Sequence, residues 1–200
     1  MKTDITGDDL IRCFLAVPLA AQSSALLDSA VTRIKPFYAE GSVRWVAASN
    51  RHMTLAFLGD QSPETVLCLQ APLQSALAAV PAFVLESVAV SGFPDAKSRI
   101  VALELECTAA LKGLLSSVHA VLARQGLAVE KRPYRPHVTL GRLDGRLDGR
   151  LDGRLGRGGS RRPLFQPVAI NMPVSSLVLY RSRLLPSGSE YEPVWEVALI

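Results

Sequence analysis

The chain has few of the residues from which disulfide frameworks and zinc sites are built. Its 200 residues include three cysteines, Cys13, Cys68 and Cys107, which are widely spaced and form no CxxC pair. An odd and scattered set of thiols is typical of a reducing compartment rather than of a secreted, disulfide-stapled domain. We therefore predict a cytoplasmic protein with buried, unpaired thiols.

The chain also lacks a long apolar run and a basic N-terminus. Its best candidate for either kind of segment, residues 13–21, is interrupted by Pro18 and preceded by three aspartates. A membrane span needs roughly 20 apolar residues, and a signal peptide begins with positive charge. These absences predict a protein without membrane contact and without an export signal.

Histidine is scarce as well, and its distribution is informative. Two of the three histidines lie in nearly the same tetrapeptide, His52-Met53-Thr54-Leu55 and His137-Val138-Thr139-Leu140. Because successive side chains of a strand point to opposite faces, the His and Thr of each copy share one face. Two such strands would bring two imidazoles and two hydroxyls into one cleft. The third histidine, His119, is interpreted as a partly exposed helix residue.

A pair of imidazoles can supply both an acid and a base near neutral pH. Since the unperturbed pKa of His is about 6.5, one ring can accept a proton from water while the other protonates a leaving oxygen. Each such transfer contributes roughly 10²- to 10⁴-fold. Thr54 and Thr139 add hydroxyl donors for phosphate oxygens, and Arg142 can neutralise developing charge. No carboxylate cluster flanks either histidine, so we predict phosphoryl chemistry without a metal or cofactor.

The net charge of +4 is distributed unevenly. Residues 131–162 carry ten Lys and Arg against three Asp, a local net charge of +7, whereas the rest of the chain has a net charge of −3. A basic segment beside the second histidine motif favours an anionic substrate, with phosphate the first candidate. A solvated basic loop without function is the alternative. Lys131, Arg132 and Arg135 are candidate phosphate contacts, although a solvated strand entry explains them equally well.

The basic segment contains a short tandem repeat. Leu-Asp-Gly-Arg occurs at 143–146, 147–150 and 151–154. A period of four fits neither a strand nor a helix, and each glycine disfavours a helix by about 1 kcal/mol. We predict that residues 143–160 form a flexible loop, whose arginines are candidates for a mobile funnel for polyanions. A calcium-binding β-roll would need a longer period.

Hydrophobic periodicity predicts an α+β protein. Helices are predicted over 19–35, 63–80 and 108–125, and Pro72 predicts a kink or break in the second. Each half of the chain carries one His-x-Thr strand and helices to cover a sheet. We therefore predict a single domain, 1–200, of two related lobes, each an antiparallel sheet covered by helices, with the cleft between them. Strands are predicted over 10–17, 43–46, 53–58, 83–90, 99–106, from His137 onward, and over 167–170, 176–183 and 194–199.

The residues around both motifs, and two further segments of the chain, resemble the sequences of a known family. Residues 52–59 read HMTLAFLG, residues 135–142 read RPHVTLGR, and RCFLAV and LVLYRS occupy 12–17 and 177–182. These segments resemble the 2H phosphoesterase superfamily and, within it, the RNA 2′,3′-cyclic phosphodiesterases, also called 2′-5′ RNA ligase-like proteins. The resemblance spans nearly the whole chain and implies a bilobal α+β fold.

The resemblance also implies an activity, the opening of a terminal RNA 2′,3′-cyclic phosphate to a 2′-phosphate. Its partners would be RNA ends or nucleoside 2′,3′-cyclic phosphates, with no cofactor; we expect a monomer without an obligate protein partner. Two alternatives remain: 2′-5′ RNA ligase or 2′-5′ phosphodiesterase activity, and an RNA-end-binding protein without turnover. The intact His and Thr of both copies favour an enzyme, because binding alone needs basic residues more than a matched acid and base.

The resemblance assigns roles to individual residues. It implies that His52 donates a proton to the leaving 3′ oxygen and that His137 accepts one from water, although two similar motifs leave the exchanged roles open. The tandem repeat departs from the family pattern, and it begins directly after Arg142. The remaining assignments are phosphate binding by Thr54, Thr139 and Arg142, and a contact to the base by Phe57. Arg135, on its charge and position, is a further candidate for contact with the base or substrate.

Overall fold

The computed structural model describes residues 9–95, 98–143, 166–186 and 188–200. Their secondary structure alternates between strands and short helices. In chain order the elements are β1 (Ile11–Pro18), α1 (Ala21–Ile34), β2 (Val43–Trp45), β3 (His52–Gln61), α2 (Pro63–Cys68), α3 (Gln70–Leu77), β4 (Phe83–Phe93), β5 (Ile100–Leu105), α4 (Ala109–Arg124), β6 (His137–Leu143), β7 (Gln166–Pro167), β8 (Asn171–Val174), β9 (Ser176–Leu185) and β10 (Gly188–Ala198).

Within the described residues the strands form two antiparallel sheets. The first sheet has the order β10-β9-β1-β3 and carries His52. The second has the order β2-β6-β5-β4-β7, with β8 also paired to β4, and carries His137. The predicted α+β class, with one His-x-Thr strand in each of two sheets, is confirmed.

The two sheets do not correspond to the two halves of the sequence. Strand β1 is central in the first sheet, and Phe14 pairs with Phe57 of β3 on one side and with Tyr180 of β9 on the other. The near-continuous burial of β1 fits this central position, since its side chains are covered on both faces of the sheet. The C-terminal hairpin therefore completes the sheet that contains β1 and β3, so each sheet combines strands from distant parts of the sequence.

The core-facing side of the helices follows the predicted spacing. In α4 the buried residues recur at three- and four-residue intervals, as an amphipathic helix requires. The Thr108 side chain caps this helix by accepting a hydrogen bond from the Leu111 amide, 3.3 Å away. Gly126 follows its end with a positive φ of 74°. The buried residues of α4 belong to one hydrophobic core that also receives the inward faces of both sheets.

The structure changes two element boundaries that periodicity alone predicted. The helix predicted over 63–80 is broken at Leu69 into α2 and α3, three residues before Pro72, so the expected break is confirmed. The strand predicted over 167–170 is wrong beyond Pro167, because β7 ends there and β8 begins only at Asn171, and the two pair with different parts of β4. At that corner the Ser87 hydroxyl accepts a hydrogen bond from the Ile170 amide, 2.7 Å away.

The three thiols are unpaired, as expected, but only one of them is buried. Cys13 lies in the core strand β1, whereas Cys68 at the end of α2 and Cys107 before α4 are exposed. Burial raises the pKa of Cys13 to about 11. The prediction of three buried thiols is therefore wrong for two positions, Cys68 at the last residue of α2 and Cys107 in the loop between β5 and α4.

Two further expectations concern membrane spans and the tandem repeat. Of the helices in the described ranges, none is long and apolar enough to cross a membrane. Leu143 is the last residue of β6, and the rest of the tandem repeat, 144–160, lies outside the described residues. The flexible loop therefore stays a prediction.

Candidate active site

Both histidines stand at the first position of a strand. His52 begins β3 and His137 begins β6. In each strand the His and Thr are half-buried, and the intervening residues are buried in the core. The alternation therefore places His and Thr of each copy on the face that is not packed into the core.

The two imidazole rings are held in the same way. Nδ1 of His52 lies 2.8 Å from the carbonyl oxygen of Asn50, and Nδ1 of His137 lies 2.9 Å from that of Arg135. Because a carbonyl oxygen only accepts hydrogen bonds, Nδ1 is the protonated nitrogen in both rings. Nε2 of each ring is then the nitrogen left to exchange a proton with a substrate.

The two motifs face a common cleft. The rings are close enough that a charge on His137 lowers the pKa of His52. The Tyr134 hydroxyl, just before β6, donates a hydrogen bond to the backbone oxygen of Thr54, 2.6 Å away. This bond fixes the entry to the second motif against the first, so that the two His-x-Thr strands are joined directly.

A bulge in β6 determines where Arg142 lies. Thr139 pairs with Ala102 of β5, but the next partner, Val101, pairs with Gly141. Two residues of β6, Leu140 and Gly141, therefore occupy one step of the ladder, and both are buried. Arg142 consequently returns to the exposed face, the face of His137 and Thr139, instead of following Leu140 into the core.

A bulge at the equivalent place in β3 does the same for Phe57. Thr54 pairs with Ala16 and Ala56 with Leu15, so Leu55 and Ala56 share one step. Phe57 is 77% exposed and its ring centroid lies 6.0 Å from that of Phe14. Phe57 and Arg142, each five residues after its histidine, are thus equivalent positions of the two motifs.

The surroundings of His52 are aromatic. Its ring centroid lies 4.7 Å from Phe14, 6.0 Å from Tyr180 and 5.1 Å from Tyr191. Burial among these rings lowers the pKa of His52, which the hydrogen bond to Asn50 partly opposes. We call Phe14, His52, Phe57, Tyr180 and Tyr191 the aromatic wall.

The surroundings of His137 carry charge. Its ring stacks on Phe93 with centroids 3.7 Å apart, and the Arg135 guanidinium lies 4.9 Å from the centre of the same Phe93 ring. Arg135 forms an ion pair with Glu104, with an N–O distance of 2.8 Å, and the Ser91 hydroxyl hydrogen-bonds the other carboxylate oxygen. Glu104 is also the residue that pairs with His137 across β5 and β6.

The charges around His137 act on its pKa in opposite directions. Burial lowers the pKa of this ring, while the hydrogen bond to the Arg135 carbonyl and the Glu104 carboxylate both raise it, and the Arg135 guanidinium lowers it. The net direction is downward for both histidines. We call the exposed face of the second sheet, with Glu104, Arg135, His137, Thr139 and Arg142, the charged wall.

Two of the three basic candidates before β6, Arg135 and Arg132, have partners on the protein. Arg135 is held by Glu104 and also donates to the backbone oxygen of Pro94. Arg132 pairs with Glu130, with an N–O distance of 2.6 Å, on the solvent-exposed surface. A solvated strand entry therefore accounts for Arg132. His119 is a half-buried residue of α4, as predicted.

Several residues of the site were not found from the sequence. Glu104 lies on the polar side of a strand with clear alternation, but its position opposite His137 depends on the register between β5 and β6. No signal within the sequence of β5 specifies that register. The other residues missed in this way are Ser91, Phe93, Tyr134 and Tyr191.

No metal-binding constellation is evident in the described part of the chain. Its His, Cys, Asp and Glu side chains form no group of three or more that could hold a metal ion. Most polar groups of the cleft are imidazole nitrogens, hydroxyls and guanidinium groups, which suit an anionic substrate, and its Glu104 carboxylate is paired with Arg135.

Comparison with known proteins agrees with this geometry. Residues 15–154 match the model of the 2′-5′ RNA ligase superfamily. A relative from Geobacillus stearothermophilus, named RNA 2′,3′-cyclic phosphodiesterase, is 33% identical over 137 residues, which are 64% of this chain and 41% of the relative. A relative of the same name from Methanothermobacter thermautotrophicus is 30% identical over 185 residues, 90% of this chain and 95% of the relative. The chain thus spans less than half of the first relative and nearly all of the second.

The fold is also found in solved structures. The crystal structure of E. coli LigT in its apo form has a TM-score of 0.72 and 26% identity, covering 96% of this chain and 98% of that one. E. coli LigT has also been solved in complex with 3′-AMP and with phosphate. Since the family match includes both His-x-Thr strands and more than half of the chain, this protein belongs to the 2′-5′ RNA ligase superfamily, as the resemblance of its motifs implied.

Proposed function

We propose that this protein hydrolyses terminal RNA 2′,3′-cyclic phosphates to 2′-phosphates by two-histidine acid–base catalysis without a metal. The observation that carries the proposal is the matched presentation of the two rings. Each donates Nδ1–H to the carbonyl two residues earlier, which leaves two Nε2 atoms for one cleft. A proton acceptor and a proton donor are what an in-line attack on phosphorus needs.

In the proposed reaction His137 accepts a proton from water as the water oxygen bonds to phosphorus. The bond from phosphorus to the 3′ oxygen breaks, and His52 donates its proton to that oxygen, which leaves the phosphate on the 2′ oxygen. Thr54 and Thr139 donate hydrogen bonds to the non-bridging oxygens, and Arg142 neutralises their charge. Each histidine ends with the proton state in which the other began, so the pair exchanges one proton per turnover.

The two rings are not equally suited to carry the positive charge. Glu104 favours a charged His137, whereas the described neighbours of His52 are aromatic. This observation favours the exchanged roles, in which His137 is the donor, as the second candidate for the direction of proton transfer. A bound phosphate anion raises the pKa of either ring and so supports a charged donor in the complex.

The aromatic wall supports a nucleotide substrate. Nucleobases stack on exposed aromatic rings, and Phe57 is the most exposed ring of that wall. The names of the curated relatives and the complex of E. coli LigT with 3′-AMP support the same class of substrate. Joining or cleaving 2′-5′ linkages would use the same groups on the same bonds, and the family description favours it as the second candidate.

We also propose that the protein acts in the cytoplasm and as a monomer. Three unpaired thiols, two of them exposed, suit a reducing compartment. One chain supplies both His-x-Thr strands, so the cleft needs no residue from a second copy.

The test is incubation with each nucleoside 2′,3′-cyclic phosphate in the presence of EDTA, with chromatographic separation of 2′- from 3′-monophosphates. We expect turnover to the 2′ product only. A variant with both histidines replaced by alanine is the control for contaminating activity. Absence of turnover in EDTA that added Mg²⁺ restores, or release of the 3′ product, would contradict the proposal.

A further inference from the structure

A second arginine lies directly beside Arg142. Arg44 of β2 pairs with Arg142 of β6, and the residues on either side pair in register, Val43 with Leu143 and Trp45 with Gly141. Directly paired residues of antiparallel strands present their side chains on the same face of the sheet. Both arginines are exposed, so they lie together on the charged wall.

The neighbours of Arg44 fix its direction independently. Val43 is buried, and the half-buried Trp45 packs against the core and edge-on to Tyr38. Because side chains alternate along β2, Arg44 points away from Val43 and Trp45 and away from the core. Its guanidinium therefore belongs to the cleft side of the second sheet.

The Arg44–Arg142 pair has no carboxylate partner within the described ranges. Three other exposed arginines, Arg135, Arg132 and Arg183, each form an ion pair, with Glu104, Glu130 and Glu192 respectively. Like charges placed directly opposite each other on neighbouring strands destabilise a sheet. An uncompensated pair of guanidinium groups on a cleft face is an arrangement that a bound anion would relieve.

The pair is set apart from the threonines that would hold the reacting phosphate. Arg142 lies two ladder steps beyond Thr139, opposite Ile100 instead of Ala102, which corresponds to about 7 Å along the strand. Arg44 lies one strand further out, by about 5 Å. Arg142 can thus reach back toward the reacting phosphate, whereas Arg44 stands on the far side of Arg142 from it.

We propose that Arg44 binds a second phosphate of the substrate, the internucleotide phosphodiester next to the terminal nucleotide. This inference rests on the proposed function and adds a preference for RNA ends over single nucleotides. A nucleoside 2′,3′-cyclic phosphate carries only the reacting phosphate, so it gives Arg44 no anion to bind. An oligoribonucleotide with the same terminal nucleotide does.

The test compares adenosine 2′,3′-cyclic phosphate with a short RNA that ends in the same group. We expect Arg44→Ala to lower the ratio of kcat/KM for RNA to kcat/KM for the nucleotide about 10-fold, through a higher KM for RNA. Loss of one phosphate contact also lowers the salt dependence of kcat/KM for RNA by about 0.7 in the log–log slope. Arg44→Lys, which keeps the charge, restores most of that slope.

The matched control is Arg33→Ala, which removes the same charge from the exposed surface of α1 and leaves the ratio as in the wild type. An unchanged ratio in Arg44→Ala, or an equal loss on both substrates, would overturn the inference while the proposed function stands. If the wild type turns over neither substrate, the proposed function fails instead. Binding of an RNA with a terminal 3′-phosphate then tests Arg44 directly: a Kd about 10-fold weaker in Arg44→Ala supports the site, and an equal Kd overturns it.

Discussion

The aromatic wall and the charged wall present their histidines in the same way and surround them with different chemistry. Each wall holds its imidazole by the same backbone hydrogen bond and carries a bulge directly after the Thr of its motif. At the position after the bulge one wall has Phe57 and the other has Arg142. In the proposed mechanism the shared features serve proton transfer, and of the features that differ, Phe57 contacts the base of the nucleotide and Arg142 its phosphate.

A smaller difference lies one residue earlier, at Ala56 and Gly141. A Cβ atom added to Gly141 would lie 2.6 Å from Cγ1 of Val43 and 3.2 Å from Cε3 of Trp45, so strand β2 leaves no room for it. Ala56 has no such strand beside it, since β3 is at the edge of its sheet. The glycine is therefore what allows β2, and with it Arg44, to lie against the second motif.

The largest effect is expected from removing the histidine that each wall carries. His52→Ala and His137→Ala should each lower kcat by roughly 10²- to 10⁴-fold, because each removes one proton transfer. Steady-state kinetics on a nucleoside 2′,3′-cyclic phosphate measures the loss. His119→Ala, on α4, should keep wild-type kinetics. Near-normal turnover by either cleft variant would disprove the two-histidine mechanism.

The next effect comes from making the charged wall resemble the aromatic one. Arg142→Phe places the side chain of Phe57 at the equivalent position and should lower kcat/KM by roughly 10- to 100-fold, the value of a hydrogen bond to a charged group. Arg142→Lys should recover part of the loss, because the charge remains without the planar fork. Equal kinetics for the Phe variant and the wild type would remove Arg142 from phosphate binding.

Substitutions at Gly141 and Ala56 should change the free energy of unfolding rather than the rate of the reaction. Gly141→Ala forces Val43 to move and should lower the free energy of unfolding by about 1–3 kcal/mol. Ala56→Gly, the matched change in the other motif, should cost only about 0.5–1 kcal/mol. Urea denaturation of both variants measures the difference. If Gly141→Ala has the same free energy of unfolding as the wild type, β2 can shift to accommodate the added Cβ atom without loss of stability.

A smaller effect is expected from substitution of Phe57, the exposed ring of the aromatic wall. Phe57→Ala should raise KM about 5-fold, near the lower end for loss of base stacking, because the ring is 77% exposed. The value of kcat should stay constant, since Phe57 contacts no reacting atom in the proposed mechanism. Phe57→Tyr is the control that keeps the ring. A fall in kcat with unchanged KM would contradict a role in base binding.

The smallest change concerns the pH dependence of the charged wall. The Glu104 carboxylate favours the protonated form of His137, so Glu104→Gln should lower the pKa of His137 further below its ordinary 6.5. The limb of the pH–rate profile that His137 controls should then move to lower pH, and NMR titration of the two rings identifies it. The pKa of His52 should change little, because Glu104 is not among the groups that shift it. A rise in the pKa of His137 would contradict this electrostatic role.

Much of the fold follows from patterns within single segments. The stripe of α4, the run of buried residues in β1 and the alternation through His52 and Thr54 each depend on one stretch of sequence and agree with the structure. The interleaved sheets, the position of Glu104 opposite His137 and the faces of Phe57 and Arg142 depend on strand register between distant segments. Strict alternation would have put both residues after the bulges in the core. The roles of the site residues remain predictions.

The two bulges also determine which residues must be transferred together when this motif is grafted into another protein. In a strand without a bulge, a residue five positions after the histidine falls on the opposite face, so a literal copy of His137–Arg142 would drive a guanidinium into the host's core. A designer would have to omit one residue between Thr139 and Arg142, or copy the bulge together with the partner strand that accommodates it. The transferable unit is therefore a pair of strands with its irregular step, rather than the letters of the motif.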